Sequence, residues 1–358
     1  MVAAGDVLPH GPVVSSATTS AGIDFSPLTA DVRPYIAGAD LALCHMEVPV
    51  APPGTAPSGY PMFGGPRELV TDLAQDGWDG CSTASNHSVD RKAAGIAATL
   101  EAFEQEGMGA TGTARTQTEA ASTQMYVVDG PGGPVTVAHI SFAYAGLNGL
   151  PKPAGQPWAV NTFDAEASDA TPIIEAARQA RVDGADIVIA SVHCCVEYRT
   201  APTDAQRLLA ERIAASGEVD LYVGHHAHVP QPIELLPGGP SGEGMWTAFG
   251  LGNFLSNQDV QCCVAESSNG VLLTATFTVT ADKQVTVQAE WTPVTVDRRG
   301  HHHMYVLTDI PDGAGTLSAA EVAARLNRVA LAVGDQAPLR TTPAQALAST
   351  VQMVPRAS

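Results

Sequence analysis

The fold is decided by the stretch Val219-Asp220-Leu221-Tyr222-Val223-Gly224-His225-His226-Ala227-His228-Val229-Pro230-Gln231. Its first half is short, apolar and ends at a glycine, which is typical of a buried β-strand. His226 and His228 lie two residues apart, so an extended backbone would direct both imidazole rings to the same side. Two neutral imidazoles on one side suit a divalent metal, whereas the alternative is loop histidines hydrogen-bonded to the backbone.

The composition of the 358-residue chain predicts a globular protein, because 45% of its residues are hydrophobic. The formal net charge of −19 argues against nucleic acid and anionic membrane surfaces as long-range partners. The sequence has no run of 18 apolar residues that would predict a membrane span. A strand is predicted directly after Met1, so we expect that an export segment or anchor precedes this sequence in the full-length protein. This expectation implies an extracytoplasmic protein at the cell surface or anchored to the membrane.

Strand-like apolar runs alternate with helical patterns up to about residue 230. The predicted strands are residues 2–6, 40–44, 78–83, 135–142, 186–192 and 219–223, and the predicted helices are residues 66–76, 91–106, 164–182 and 203–216. This alternation predicts parallel βαβ units and a sheet covered on both faces. Antiparallel strands are expected over residues 245–251, 270–280 and 284–291, and a last helix over 318–333. The tail from residue 338 has weak patterning and is expected to be poorly ordered.

Proline- and glycine-rich loops are predicted over residues 51–66 and 147–160. In an open α/β sheet, ligands bind at the carboxyl ends of the strands. We therefore expect these loops to act as walls or lids of a site.

The cysteines do not show the CxxC spacing of a structural zinc site. They are Cys44, Cys81, Cys194, Cys195, Cys262 and Cys263. In an oxidising compartment, we expect one member of the first adjacent pair to form a disulfide with one member of the second. Cys44 and Cys81 each end an apolar run and are candidate neighbours, with buried free thiols as the alternative.

Polar side chains follow each of five predicted strands. In chain order they are Asp6, Glu47, Asn86, His193 and the pair His226 and His228. Each has an ordinary explanation by itself, such as a turn carboxylate, a surface glutamate or a satisfied half-buried histidine. Their repeated position at the strand ends instead predicts a divalent metal site with mixed nitrogen and oxygen ligands.

His87 and Asp90 follow the third predicted strand beside Asn86. On an extended backbone, His87 points away from Asn86, which suits a proton donor better than a second ligand. Asp90 is expected to cap the following helix, to orient His87, or to do both. Glu197 and Tyr198 follow His193 closely and are candidates to line the pocket.

Six segments of the chain resemble the CapA family, the bacterial capsule and poly-γ-glutamate synthesis proteins of the calcineurin-like metallophosphoesterase superfamily. The segments are GDVLPH (5–10), CHMEVP (44–49), SNHSVD (85–90), VHCCVEY (192–198), GHHAHVPQPIE (224–234) and LGNF (251–254). The resemblance implies an α/β fold, a four-layer α/β/β/α metallophosphoesterase-like sandwich with two mixed sheets. We expect this domain to span residues 1–310, with a C-terminal helical segment and tail over 311–358 packed on it or trailing from it.

The resemblance also implies roles for the strand-end residues. Asp6 and His228 would hold one metal, Glu47 would be shared, and a second metal would be completed by Asn86, His193 and His226. His87 would be the general acid or electrostatic stabiliser, with Asp90 beside it as a catalytic residue. Further candidates for pocket or ligand residues are His10, His45, Glu197, Tyr198, His225 and Asn253.

Two positions depart from the superfamily pattern. Leu8 stands where the first motif, Asp-x-His, usually carries its histidine, and His10 is the nearest substitute at a different spacing. Glu47 stands where most relatives carry aspartate. A site with only one tightly bound metal is therefore an alternative to a two-metal site.

These features predict a metal-dependent hydrolase of the CapA type, acting through metal-activated water in capsule or poly-γ-glutamate biogenesis or processing. One or two divalent ions are expected, and the ligand set does not choose between manganese, zinc and iron. The substrate would be poly-γ-glutamate or a small anion, cleaved at a phosphate ester or a γ-glutamyl amide. The alternatives are a non-catalytic polymer-binding accessory of a membrane-bound synthase, and a globular domain with structural histidines.

Overall fold

The computed structural model describes residues 1–348 and 350–357. The strands are β1 (Val2–Leu8), β2 (Thr18–Thr19), β3 (Gly22–Ile23), β4 (Ala42–Met46), β5 (Gly80–Ser82), β6 (Gly109–Thr111), β7 (Gln124–Gly130), β8 (Gly133–Tyr144), β9 (Thr162–Phe163), β10 (Ile187–His193), β11 (Leu221–His225), β12 (Ile233–Leu236), β13 (Met245–Ala248), β14 (Asn253–Ser256), β15 (Asn269–Val279), β16 (Val285–Asp297), β17 (His303–Val306), β18 (Gly313–Ala314), β19 (Leu317–Ser318) and β20 (Val351–Val354). The helices are α1 (Gly11–Ala17), α2 (Ser26–Thr29), α3 (Arg33–Ala37), α4 (Glu68–Asp76), α5 (Lys92–Gln105), α6 (Gln117–Ala120), α7 (Thr171–Val182), α8 (Asp204–Ser216) and α9 (Ala319–Val333).

Two large mixed sheets form the centre of the protein. The first has the order β17-β16-β15-β1-β4-β5-β6, and β14 also pairs with β1. The second has the order β12-β13-β11-β10-β8-β7-β20, and β9 also pairs with β8. In the first sheet β1, β4, β5 and β6 run parallel, while β15, β16 and β17 are antiparallel. The parallel part of the second sheet is β8, β10, β11 and β13.

The buried side chains define four layers. One cluster lies between the sheets and joins residues such as Leu43 of the first to Leu221 of the second. A second cluster packs α4 and α5 on the outer face of the first sheet, and a third packs α7 and α8 on the second. The predicted α/β/β/α sandwich with two mixed sheets is therefore confirmed.

The covering helices follow from the spacing of their apolar residues. In α5, Ile96, Leu100 and Phe103 are spaced by four and three residues, and all three are buried against the first sheet. Burying each such side chain contributes about 1.5–3 kcal/mol. Helix α8 begins at Asp204 and is capped by Thr203, whose side chain accepts a hydrogen bond from the backbone N–H of Gln206.

The predicted strands and helices up to residue 230 are present, with boundaries shifted by a few residues. The largest shift is at α7, which begins at Thr171 rather than at residue 164. The expectation of antiparallel pairing is right for β15 and β16, but β13 pairs parallel with β11 and antiparallel only with β12.

The C-terminal tail is more ordered than the sequence predicts. Residues 351–354 form β20, which pairs with β7 at the edge of the second sheet. The expectation of poor order is therefore wrong for this segment, while Ser349 and Ser358 lie outside the described residues.

Helix α9 contributes Val322 and Val329 to the cluster between the sheets. The division into residues 1–310 and 311–358 stays a prediction. Within the described ranges, no helix combines the length and apolarity needed to cross a bilayer.

The structure pairs the cysteines differently from the expectation. Cys44 and Cys81 form a disulfide, which confirms that they are neighbours. They lie opposite each other on the adjacent strands β4 and β5. The expected bridge between the two adjacent pairs is wrong, because Cys194 pairs with Cys195, and Cys262 pairs with Cys263.

Replacing Cys44 and Cys81 together by alanine should lower the free energy of unfolding by about 2–4 kcal/mol. This disulfide joins positions 37 residues apart, and the chain-entropy model assigns about 4 kcal/mol to a loop of that size. Urea denaturation without reductant measures the difference. The matched control is Cys262→Ala with Cys263→Ala, which removes a bridge between neighbours and should change stability much less. Equal losses in both double variants would contradict the prediction.

Candidate metal centre

Asp6 occupies the middle of the site because of its place in β1. The strand runs on to Leu8, so Asp6 lies within it and not after it. In the register of the first sheet, Asp6 is opposite His45 on β4 and Asn253 on β14. In the second sheet His193 is opposite His225. Three polar residues of the first sheet and two of the second are thus brought together where the two sheets meet.

The histidines after β11 are positioned by a turn rather than by an extended strand. Gly224 is required at the end of β11, because a Cβ atom there would lie 1.9 Å from the backbone oxygen of Phe249. His226 and His228 then adopt positive φ angles of 84° and 55°. The expected extended backbone is therefore wrong. Their ring centroids nevertheless lie only 6.0 Å apart, so the turn also brings the two imidazoles together.

The first group of contacts joins the two carboxylates to His228. The Nδ1 atom of His228 lies 3.1 Å from Oδ2 of Asp6, and the Nε2 atom of His228 lies 3.6 Å from Oε1 of Glu47. Asp6 Oδ2 also accepts a hydrogen bond of 3.2 Å from the backbone N–H of His226. His228 thus lies between the two buried acidic groups.

The second group of contacts joins His193 to Asn86 and Glu47. His193 Nε2 lies 2.8 Å from Oδ1 of Asn86 and 3.9 Å from Oε1 of Glu47. The ring of His226 lies 4.6 Å from that of His193, measured between centroids. The structure therefore brings together all six predicted ligands, namely Asp6, Glu47, Asn86, His193, His226 and His228, each 4% exposed or less.

The polar atoms of this cluster lack the hydrogen bonds that burial normally requires. Among the described residues, one oxygen of Asp6, both oxygens of Glu47 and Nδ1 of His226 are buried without a hydrogen-bond partner. Both ring nitrogens of His225 share this property. A buried carboxylate without a partner is costly, and a bound cation would compensate it. Carboxylate, imidazole and amide donors fit manganese, zinc or iron.

Two sets of three residues place one ligand atom each within 4.8 Å of one another. They are Asp6, His45 and His225, and Glu47, His226 and His228. The second set contains three predicted ligands. The first shows that His45 and His225, expected only as pocket or ligand candidates, lie at the cluster.

The electrostatic environment keeps most of these imidazoles neutral. Burial, together with the charge on His225, holds the pKa of His45 well below its usual range, and burial and His226 do the same for His193. Burial and the charge on His228 lower the pKa of His226 to about 3. Neutral imidazoles present the lone pair that a metal requires.

The two carboxylates and His228 form a strongly coupled group. Burial alone would lower the pKa of His228, but Glu47 and Asp6 outweigh it and raise that pKa to about 10. Burial raises the pKa of Glu47 well above its usual range. For Asp6 the effect of burial is outweighed by the close imidazoles of His225 and His228, at 3.3 and 3.1 Å, which hold its pKa well below the usual range. Without metal, the group therefore retains a proton at neutral pH.

His87 and Asp90 form a pair beside the cluster. Nδ1 of His87 lies 2.7 Å from Oδ2 of Asp90, so Asp90 orients the ring. The same oxygen accepts a hydrogen bond from the backbone N–H of Phe63. The expected capping role of Asp90 is wrong, because α5 begins at Lys92 with Arg91 as its capping residue. Residues 86–90 form turns, so the expected extended backbone at His87 is also wrong.

The two proline- and glycine-rich loops do act as walls. Phe63 of the first loop packs against His87, with 4.7 Å between ring centroids. Asn148 of the second loop accepts hydrogen bonds from the side chains of Asn86 and Tyr144. Phe63, Asn148 and Tyr144 were not identified individually from the sequence. The only signal for Phe63 and Asn148 was the composition of their loops, and Tyr144, at the end of β8, had none.

The position at which the family resemblance predicts a histidine is occupied by an apolar side chain, that of Leu8. Leu8 packs with Val48 and Phe63 in a small buried cluster. His10 does not replace the missing histidine, since its Nδ1 atom lies 2.9 Å from the backbone oxygen of Leu8. Its ring packs against Phe63 at the edge of the site.

The remaining pocket candidates surround His228. Asn253 Oδ1 lies 3.1 Å from Nδ1 of His228, and its amide donates to the backbone oxygen of the same residue. The amide also donates to Gln258, whose own amide donates to the hydroxyl of Tyr198. Glu197 is exposed, and its charge contributes to the raised pKa of Glu47.

Comparison with known proteins gives the family. Residues 1–258 match the family described as bacterial capsule synthesis protein PGA_cap, and the chain belongs to that family. It is 29% identical over 193 residues to the PGA biosynthesis protein CapA of Bacillus subtilis (strain 168), and 26% identical over 192 residues to the capsule biosynthesis protein CapA of Bacillus anthracis. Each match covers 54% of this chain, and 46% and 43% of the two relatives respectively.

Among solved structures, the calcineurin-like phosphoesterase YfkN of Bacillus subtilis is similar with a TM-score of 0.46 and 12% sequence identity. That alignment covers 92% of this chain and 95% of the other.

Metal affinity should increase with pH, because a cation must displace the proton that His228 retains below pH 10. Between pH 6.5 and 8.5 the apparent association constant should rise roughly tenfold per pH unit, as expected for release of one proton. Titration with Mn²⁺ by calorimetry at three pH values measures it. The control is His226→Ala, which should weaken binding at every pH but keep the slope. An affinity independent of pH would contradict the assignment of the retained proton.

Proposed function

We propose that this protein is a metal-dependent hydrolase that acts in capsule or poly-γ-glutamate biogenesis or processing. The observation that supports it most is the set of buried oxygens on Asp6 and Glu47 that have no hydrogen bond within the described part of the chain and lie among mostly neutral imidazoles. Such a set is costly by itself and becomes favourable with a divalent cation. Divalent ions at such a site lower the pKa of water and polarise an oxygen of the substrate.

Each part of the cluster has a role in this proposal. Asp6 and His228 would hold one metal, Glu47 would contact both, and Asn86, His193 and His226 would hold the other. Nδ1 of His87 would donate to Asp90, which fixes the ring, and in the imidazolium form Nε2 would carry a second proton. From that position it would stabilise negative charge or protonate the leaving group.

The substrate would be anionic, either poly-γ-glutamate or a small anion. Family membership and the printed names of the two relatives support a capsule polymer, cleaved at a γ-glutamyl amide or at a phosphate ester. The net charge of −19 opposes long-range attraction of a polyanion. Recognition would therefore be local, through the cations of the site.

A second candidate function is a non-catalytic accessory that binds polymer for a membrane-bound synthase. The observation that favours it is the apolar cluster of Leu8, Val48 and Phe63 where the superfamily carries a metal ligand. Loss of that ligand would weaken the first metal position and with it the activation of water. Metal-dependent polymer binding without turnover would distinguish this function from the first.

We also propose an extracytoplasmic location, with anchoring in the full-length protein. The disulfide between Cys44 and Cys81 supports it, since disulfides persist in oxidising compartments. Membrane-bound synthase subunits would be the partners there.

Hydrolysis should depend on both the metal ligands and His87. The purified protein would be assayed with Mn²⁺, Zn²⁺ and Fe²⁺ against a generic phosphate ester and against poly-γ-glutamate. His226→Ala should weaken metal binding and lower turnover together. His87→Ala should keep the metal and lose turnover by about 10²–10⁴-fold, the usual contribution of a general acid.

The matched control for His87 is His303→Ala. His303 also contacts a carboxylate, with 2.9 Å between its Nε2 atom and Oδ2 of Asp31, but it lies on β17, outside the cluster. This variant should retain full turnover. Unchanged turnover in both His226→Ala and His87→Ala would overturn the proposed site.

A further inference from the structure

His45 is a buried histidine that none of the proposed catalytic steps uses. It lies in β4, opposite Asp6 on one side and Ser82 on the other. Its Nε2 atom lies 2.9 Å from Nδ1 of His193, and its Nδ1 atom lies 2.7 Å from Oγ of Ser82. Both ring nitrogens of His45 are therefore within hydrogen-bond distance of a neighbour.

The orientation of His193 determines the direction of these hydrogen bonds. Its Nε2 atom is the one beside Asn86 and Glu47, at 2.8 and 3.9 Å. A histidine that offers Nε2 to a metal carries its proton on Nδ1. His193 Nδ1 must then donate to Nε2 of His45.

The donors and acceptors continue in one direction beyond His45. Because its Nε2 atom accepts, its Nδ1 atom carries the proton and donates to Ser82. The hydroxyl of Ser82 then donates to the backbone oxygen of Cys44 at 3.4 Å. When a metal occupies Nε2 of His193, each proton has one acceptor, so the hydrogen bonds from His193 to the backbone of β4 run in this direction.

Packing also holds the His45 ring in place. The ring stacks on that of His225, with 4.0 Å between centroids and 16° between planes. His45, His193 and Ser82 are each completely buried, so water does not compete for these bonds. Hydrogen bonds in such surroundings are stronger than in water.

We propose that His45 is a positioning residue that holds His193 in the tautomer and orientation required to bind a metal through Nε2. This inference rests on the proposed function, in which His193 is a ligand. The competing role is direct ligation by His45 together with Asp6 and His225, whose ligand atoms lie within 4.8 Å of its own. Direct ligation would require a ring nitrogen of His45 to lose its hydrogen bond with His193 or with Ser82. The observed contacts therefore favour the positioning role.

The test compares two substitutions of His45. His45→Phe keeps a ring for stacking but leaves Nδ1 of His193 without an acceptor. Zn²⁺ affinity, measured by chelator competition, should fall about 10–100-fold, as for other residues that orient metal ligands. His45→Gln supplies a side-chain oxygen as acceptor and should recover part of this loss. Ser82→Ala, which removes only the next acceptor, should show a smaller loss and serves if the Phe variant does not fold.

The matched control is His139→Phe. His139 is also completely buried, and its Nε2 atom lies 2.8 Å from Oγ of Ser191, but none of its hydrogen bonds reaches a proposed ligand. Its substitution should leave Zn²⁺ affinity within about threefold of the native value, well below the loss expected for an orienting residue. Thermal unfolding of the metal-free variants shows whether each is folded.

A spectroscopic measurement identifies the tautomer directly. In the Zn²⁺-loaded protein with ¹⁵N-labelled histidine, long-range ¹H–¹⁵N spectra should show the His193 proton on Nδ1, and His45→Phe should disturb this signal. Native affinity and an unchanged tautomer in His45→Phe would overturn the inference. Complete loss of binding in both His45→Phe and His45→Gln, equal to that in His193→Ala, would also overturn it and make His45 a ligand.

His193→Ala separates this inference from the function on which it rests. If His193→Ala abolishes one Zn²⁺ site while His45→Phe has no effect, the positioning role is wrong and the metal centre remains. If His193→Ala leaves Zn²⁺ binding intact, the assignment of the metal centre is itself wrong.

Discussion

The burial of Asp6 and Glu47 between the two sheets is the constraint on which the rest of the structure depends. Neither carboxylate is exposed, and three of their four oxygens have no hydrogen-bond partner among the described residues. An uncompensated buried charge costs several kcal/mol, far more than one well-packed side chain contributes. The surrounding imidazoles and the proton retained at His228 supply the positive charge and hydrogen bonding that this burial requires.

Both sheets contribute residues to the site. The first sheet supplies both carboxylates and, in the turn after β5, Asn86, while the second supplies His193 from β10 and the turn after β11 supplies His226 and His228. The sheets are held together by the apolar cluster between them, which includes Leu43 and Leu221. Under the proposed function, metal affinity and overall stability would therefore be coupled, since separating the sheets would separate the proposed ligands.

The family resemblance was sufficient for the four layers, and the strand-end positions were sufficient to bring the six proposed ligands into one cluster, because strand ends follow from local apolar patterns. That these residues bind a metal stays a prediction. The sequence was insufficient for His45 and Phe63. The contact of His45 with Ser82 depends on strand register, and that of Phe63 with His87 depends on the path of a long loop. The turn at His226 was also missed, because the need for Gly224 comes from Phe249, 25 positions further along the chain. The cysteine pairing failed for a similar reason, since spacing along the chain carries little information about distance between loops.

The last ordered segment, β20, has a consequence for assembly of the protein. Its residues 351–354 hydrogen-bond to residues 125–128 of β7 and cover that edge of the second sheet. A sheet edge left open is a template for pairing with another polypeptide. During synthesis β7 emerges more than 200 residues before the strand that covers it. A nascent chain, or one truncated before residue 351, would thus expose an edge open to pairing with other chains, which β20 otherwise covers.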